Sequence, residues 1–348
     1  MTTVSALPTT TVRVTLPGVV EPNGLVVDTA PVTEPTDGEL LVAVEATGIS
    51  YAEQAMRRGR YFAQPRFPFT PGYDLVGTVL RVGPGVDAAL LGRRVAALTK
   101  TGAWTGHARV QARDAIVIPD GVASEDAEAV AVNGVTAWQM LHRAARVERG
   151  QTVLIFGANG GVGGILIQLA HHAGILVIGA ASERHHEALR RDGVEPVDYA
   201  DPDLAKTVRA LAPAGVDAVF DNVGGATTAT AWKLLAPGGT LVSYAIVGAV
   251  SKKQNLWPSF LKHLGRILAW NALPNGKRAA FYNLWAGHTT AKARFRRHLE
   301  NDLGQVLQLV QNGTVTANIA ARFPLTDIVQ ALELAESRTL NGKVILLP

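Results

Sequence analysis

The chain has 348 residues, no cysteine, 33 basic against 29 acidic side chains, and 47% apolar residues. This composition describes a globular chain long enough for two domains and excludes disulfides, thiolate zinc sites, iron–sulfur clusters and cysteine nucleophiles. The formal charge of +4 is a small excess over this length and disfavours a nucleic-acid partner; with no basic leader and no long uncharged apolar run, no membrane span and a cytoplasmic location are expected.

Short apolar runs fill the first part of the chain: TTTVRVTL at 9–16, ELLVAVEATGI at 39–49, LVGTVLRVG at 75–83, GRRVAAL at 92–98 and AIVIP at 115–119. They are broken by Pro71-Gly72, Gly83-Pro84 and Pro119-Asp120-Gly121, a pattern that predicts antiparallel β structure. From residue 131 apolar strands alternate with helical stretches: QTVLIFG at 151–157, ILVIGAA at 175–181, VDAVFDNVG at 216–224 and GTLVSYAIVG at 239–248. Strands apolar along their whole length are covered on both faces, so this part predicts a doubly wound parallel sheet. SFLKHLGRILAW at 259–270, RFRRHLENDLGQVLQLVQNG at 294–313 and LTDIVQALELAESR at 325–338 have helical character, and GKVILLP closes as a strand. Within the first, Ile267-Leu268-Ala269-Trp270 falls where the last strand of the parallel sheet is expected, a buried helix being the alternative.

The strongest local signal is VLIFGANGGVGGILIQLA, 153–170. A buried strand runs through a glycine-rich turn straight into an amphipathic helix, the context in which backbone amides and the positive end of a helix meet a pyrophosphate. The tip of the following strand reads Ala181-Ser182-Glu183-Arg184-His185-His186. Ser182, Arg184 and His185 offer donors to a 2′-phosphate, which favours NADPH, whereas Glu183 suits a free ribose.

With these elements in order, the chain resembles the medium-chain dehydrogenase/reductase superfamily, in its zinc-free quinone oxidoreductase branch, and most of all the VAT-1-like proteins. The resemblance rests on GISYAEQAMRRGRY (48–61), TPGYDLVGTV (70–79), NGVTAW (133–138), GANGGVGG, SERHHEAL (182–189), VFDNVGG (219–225), FYNLWAG (281–287) and SRTLNGKVILLP (337–348). It implies an α/β chain in which a discontinuous GroES-like catalytic domain, 1–130 and 273–348, carries an inserted Rossmann domain, 131–272. It further implies NADPH held by Thr136, Gly160, Gly161, Val162, Ser182, Tyr199, Asn222, Ser243, Tyr244, Arg338 and Asn341, with His185 standing where the family usually has a phosphate-binding lysine and Arg184, one position earlier, compensating, and a homodimer formed by edge pairing of two Rossmann sheets.

Two departures touch the chemistry. Ser50 stands where the family commonly has an asparagine near the nicotinamide, and Asp74 stands for the glutamate of PGxExxG. His107 and Asp74 are too few for a zinc site, so no metal is expected. Hydride transfer to a quinone or enone needs only hydrogen-bond donors and a proton; the donor candidates are Tyr51 and Tyr61, with Ser50 orienting nicotinamide or substrate. Both tyrosines read equally as amphipathic cleft walls. A dedicated biosynthetic substrate fits the same reading, and a non-enzymatic NADPH-binding lipid-transfer or scaffold protein is the alternative.

Overall fold

The computed structural model describes residues 7–245, 256–337 and 339–348. The chain divides into two compact units, residues 1–132 with 292–348, and residues 133–291.

In the first unit, β1 (Thr10–Thr15) and β2 (Val26–Pro31) pair as an antiparallel ribbon. The strands β3 (Glu39–Ile49), β4 (Asp74–Val82), β5 (Arg94–Leu98), β6 (His107–Gln111) and β7 (Ala115–Val117) follow. The alternation of apolar residues along β3 and β4 places Leu40, Val42, Leu75 and Val79 in one core with Val95 and Val110. A second core gathers Val14, Leu16, Trp104, Ile328, Leu332 and Leu346. Trp104 satisfies its buried indole by donating to the Gly48 carbonyl at 2.9 Å.

The second unit contains β8 (Thr152–Phe156), β9 (Leu176–Ala181), β10 (Glu195–Asp198), β11 (Val216–Asp221), β12 (Leu235–Ser243) and β13 (Arg278–Phe281). All pair in parallel, in the order β10-β9-β8-β11-β12-β13. The order reverses between β8 and β11, and in such sheets ligands bind in the crevice at the carboxyl ends of the strands flanking that switch. The chain then returns to the first unit, where β14 (Ile319–Pro324) and β15 (Lys343–Leu347) complete a seven-stranded sheet of order β14-β15-β3-β4-β5-β7, with β6 beside β3.

Two expectations are corrected here. Ile267–Trp270 are not a strand but the last full turn of the helix Leu256–Asn271. Ile267 points inward, only 7% exposed, while the adjacent Leu268 is 71% exposed, so a run of four apolar residues serves two faces of a helix. The sixth strand is instead β13, so residues 273–291, expected in the catalytic half, lie in the parallel-sheet unit. Trp270 is held by a layered stack: its ring lies 4.9 Å from that of Trp232 and parallel to within 2°, with Arg266 over one outer face and Lys277 over the other. Among the described residues no helix is long and apolar enough to cross a membrane.

Candidate functional site

In the parallel-sheet unit the glycine-rich turn sits at the switch point. Gly157, which follows β8, has φ +68°, and a Cβ there would come within 2.4 Å of the Asn222 amide nitrogen. Gly163, in the first turn of the helix Gly161–His172, packs so closely that a Cβ would lie 2.3 Å from the Gly157 carbonyl oxygen. No side chain caps this helix at Gly160, so its first-turn N–H groups are left for an outside acceptor. Three segments far apart in sequence thus meet: the turn itself; Asn222, whose side-chain oxygen is buried without a partner; and NGVTAW, whose Asn133 amide lies where a Gly161 Cβ would fall. Thr136, two-thirds of the way through NGVTAW, is buried on the helix Ser124–Trp138.

Sequence reasoning missed what stiffens this crevice. Asp221, at the end of β11 and fully buried, accepts from the Val223 and Gly224 amides at 2.9 and 3.2 Å and from the Thr228 hydroxyl at 2.6 Å. Tyr244 donates its backbone N–H to the Asp221 carbonyl, and Ser243 ends β12 fully buried. Burial, with the nearby Asp221 charge, raises the Tyr244 phenol well above its ordinary range, so it is a proton-bearing donor.

At the end of β9, Ser182 and Tyr199 stand together, their hydroxyls 3.4 Å apart, and Tyr199 is 55% exposed. Arg184 donates through Nε to His185 Nε2 at 3.1 Å. A histidine that accepts is neutral, and burial together with Arg184 and His186 lowers its pKa, so Arg184 is the cation of this tip and His185 its support. Beside it, a depression of about 510 Å³ is lined by Glu183, Asp198 and Asp201, an acidic wall unsuited to phosphate. Arg338 lies outside the described residues. Asn341, in the β-rich unit, accepts a hydrogen bond from Asn318 at 2.9 Å.

In the β-rich unit the sequence candidates form one connected group. Ser50 caps the helix Tyr51–Arg57: its Oγ accepts from the Ala52 N–H at 3.1 Å, while its own N–H donates to Glu53 Oε2 at 2.9 Å. Glu53, 1% exposed, also touches Ser50 Oγ through Oε2 and accepts from the Tyr73 N–H through Oε1 at 2.7 Å. The Tyr73 hydroxyl lies 2.9 Å from that of Tyr61, the two rings meeting edge to face. Glu53 therefore ties Ser50 to Tyr61, with Tyr51 on the same helix. Burial raises the Tyr61 phenol, the bond to Tyr73 opposing and the Glu53 charge adding.

Behind this group lies a buried ion cluster. Lys343 Nζ is 2.9 Å from Asp74 Oδ2 and 2.7 Å from Glu128 Oε1, and the two carboxyl side chains are fully buried. Asp74 also accepts from the Val132 N–H at 3.2 Å. Burial alone would lower the Lys343 ammonium, but the two facing carboxylates outweigh it and hold the lysine charged. Burial pushes Glu128 well up, and Asp74 adds to this. The shorter Asp74 is thus not an isolated departure from the glutamate pattern, since Lys343 and Glu128 share its site. The residues do not fit zinc: Asp74 is engaged by Lys343, His107 Nδ1 faces Thr11 Oγ1 at 3.0 Å, and among the described residues no three potential ligands cluster. The aromatic residues of FYNLWAG belong to the parallel-sheet unit: Phe281 packs on Phe260 and His263, Tyr282 donates to Gln139 Oε1 at 2.9 Å, and Trp285 meets His288.

A family model described as an alcohol dehydrogenase GroES-like domain matches residues 36–148, and one described as a zinc-binding dehydrogenase matches residues 193–346. The human synaptic vesicle membrane protein VAT-1 homolog is 30% identical over 324 residues, covering 90% of this chain and 80% of that protein. The chain belongs to the medium-chain dehydrogenase/reductase superfamily and is VAT-1-like. Its two units are accordingly the GroES-like and Rossmann-type domains of that superfamily. Among solved structures, a mycobacterial quinone oxidoreductase superposes with a TM-score of 0.81 at 29% identity, over 97% of this chain and 100% of that one. A mycobacterial protein complexed with NADPH superposes at 0.83 and 28% identity, with the same coverage.

Proposed function

We propose that the protein is an NADPH-dependent reductase that passes hydride to a quinone or an α,β-unsaturated carbonyl without zinc. The observation that carries this is the uncapped glycine turn at the switch point, with Arg184 as the cation at the tip of the next strand. When bound, NADPH supplies the hydride. The Gly160, Gly161 and Val162 amides meet its pyrophosphate; Ser182, Arg184 and Tyr199 hold the 2′-phosphate; and Thr136, Asn222, Ser243 and Tyr244 line the path toward the nicotinamide.

The residues of the GroES-like domain then have two tasks. Negative charge reaching the substrate oxygen must be held by donors, and a proton must be delivered. Ser50, Tyr51 and Tyr61 are assigned these tasks; the raised phenol of Tyr61 keeps its proton at neutral pH and so has one to donate. The mycobacterial quinone oxidoreductase and the NADPH complex are in keeping with this reading.

The test is NADPH oxidation followed against a panel of quinones and enones, with and without EDTA. Turnover unaffected by the chelator is expected. Thermal stabilisation by NADPH with no acceptor reduced would move the protein to the alternative, a cofactor-binding scaffold or lipid-transfer role.

We also infer a homodimer. Among the described residues β13 has no outer neighbour in the sheet order, and the helix Leu256–Asn271 exposes Trp257 (56%), Leu261 (61%) and Leu268 (71%) along one face. Such a strand edge and apolar face in one unit suit a two-fold partner of the same chain. Light scattering at the single-chain mass would overturn it.

A further inference from the structure

Within the GroES-like domain the β1–β2 ribbon closes on the start of β6 through a short contact. Val14 donates its N–H to the Trp104 carbonyl and Gly106 donates its own to the Val12 carbonyl, both at 2.9 Å. The buried Thr105 hydroxyl donates to the same Val12 carbonyl at 2.9 Å. Gly106 is what allows the approach, since a Cβ there would lie 2.8 Å from Thr11 Oγ1. Beside this contact the ribbon and the sheet leave a cavity of about 310 Å³ between them, lined by Thr11, Arg13 and Thr33 on one side and by Glu39, His107 and Arg109 on the other. That is the lower end of small-molecule pockets, roughly 300–1,000 Å³. Neither the glycine turn nor the group from Ser50 to Tyr61 contributes a side chain to it.

What the cavity can hold follows from which of its polar groups are already spent. Arg13 gives Nε and Nη2 to the two Asp28 oxygens at 2.7 and 3.1 Å, which fixes the plane of its guanidinium and leaves Nη1 over. Arg109 makes no hydrogen bond among the described residues, and its ion pair with Glu39 is stretched to 3.6 Å. Glu39 has little to give in return, because its Oε2 already accepts from the Thr36 N–H and hydroxyl at 3.0 and 2.8 Å. Buried Thr11 holds His107 through Nδ1 at 3.0 Å, which sets the ring and leaves Nε2. The unspent groups are thus chiefly donors, above all the whole fork of Arg109. Its side chain is 41% exposed, so a ligand oxygen replaces water there and breaks no bond within the protein.

We propose that this cavity is a binding site for a small hydroxylated oxyanion, a phosphate ester or a hydroxycarboxylate, whose charged head is taken by the Arg109 fork. A planar guanidinium matches two oxygens of either head at once. Arg13 Nη1 and His107 Nε2 complete the polar wall, and Thr33 and Thr70 offer hydroxyls to the body of the ligand. Arg13 and Arg109 are balanced by Asp28 and Glu39, so the site selects by the fixed orientation of its donors rather than by an attractive field.

The test is isothermal titration of the NADPH-saturated protein, with the cofactor crevice filled, using glycerol 3-phosphate and malate at constant ionic strength. At least one of them should bind once per chain; glycerol 3-phosphate alone identifies a phosphoryl head, and malate alone a carboxylate. Arg109→Gln should weaken that binding about tenfold or more, as expected for lost hydrogen bonds to a charged group. Arg322→Gln, which removes an exposed arginine paired with Glu125 but outside the cavity, should leave it unchanged. Thr33→Trp fills the cavity from the ribbon side and should abolish binding with Arg109 still in place. Arg109 and Thr33 are both exposed, so these variants should fold as wild type does. Binding of neither probe overturns the site, as does an affinity that survives Arg109→Gln or Thr33→Trp, or one that falls as far in Arg322→Gln.

Discussion

The two domains prepare their polar side chains in opposite ways. At the crevice of the Rossmann-type domain, Ser182, Arg184 and Tyr199 stand on loop tips in contact with water, and the helix after the glycine turn begins with no capping side chain. In the GroES-like domain Glu53, Asp74, Glu128 and Lys343 are buried, Lys343 bound to Asp74 and Glu128, and Glu53 to Ser50 and the Tyr73 N–H. A residue of the first kind gains its main partner when a ligand arrives, so changing it should alter affinity and leave the fold nearly untouched. A residue of the second kind is part of the core, so changing it should alter stability first and chemistry through it.

The largest effect expected from this contrast is at Lys343. Replacing it with Met leaves Asp74 and Glu128 facing each other without their cation, at a cost of about 3–5 kcal/mol for a broken buried ion pair. Urea unfolding followed by probes in each domain should show the GroES-like transition moving to lower denaturant, with NADPH affinity retained. If both transitions fall equally, or if Lys343→Met is as stable as wild type, the buried cluster does not set the stability of that domain.

The Rossmann-type domain offers two changes that separate shape from charge. In Gly163→Ala the new methyl meets the Gly157 carbonyl at 2.3 Å, so the turn must shift, and NADPH and NADH should weaken together by about 1–3 kcal/mol. Arg184→Ala removes a charged donor from the strand tip and should weaken NADPH alone, again by about 1–3 kcal/mol. Isothermal titration with both cofactors checks the pair. Equal losses for both cofactors in Arg184→Ala would make the arginine a packing residue and remove the 2′-phosphate assignment.

How far the sequence reached also follows this division. The glycine turn, the strand alternation and the tip at Ser182–His185 were legible because each is written in consecutive residues whose spacing has a direct geometric meaning. Glu53 stands three residues after Ser50 in the capping-box pattern and is legible there as a cap, but a carboxylate in a helix's first turn is so common that the spacing alone does not mark it as part of a site. The Asp74–Lys343 bond joins positions 269 residues apart, and no local pattern announces it. The register of the sixth strand was misplaced because β13 has only four residues, whereas Ile267–Trp270 look like a strand until the stack of Trp270 on Trp232 shows which side of a helix they serve.

The smallest effect, and the one that sharpens the contrast most, is in the pH dependence of the two unfolding transitions. In the GroES-like domain Glu53 and Glu128 have folded-state values above the ordinary 4.5 of an unfolded glutamate. As pH rises from there, the unfolded chain releases protons that the folded chain still holds, so their contribution is present below 4.5 and is lost as pH rises through the folded values. In the Rossmann-type domain the sign is reversed at His263, which is 5% exposed, packs its ring on Phe281 and has an Nε2 with no partner. Burial, opposed by Asp221 and aided by Arg266, holds it below the ordinary 6.5, so its contribution is present above 6.5 and is lost as pH falls, when the unfolded chain takes up the proton first. On acidification from neutral pH the Rossmann-type transition should therefore weaken while the GroES-like one gains. His263→Phe keeps an aromatic ring against Phe281 and removes the titrating nitrogen, so it should flatten the acid-side fall of its own domain and leave the other slope unchanged. Two transitions with the same sign of pH dependence, or an acid-side fall that persists in His263→Phe, would mean that the buried carboxyls and the buried imidazole do not govern their domains separately.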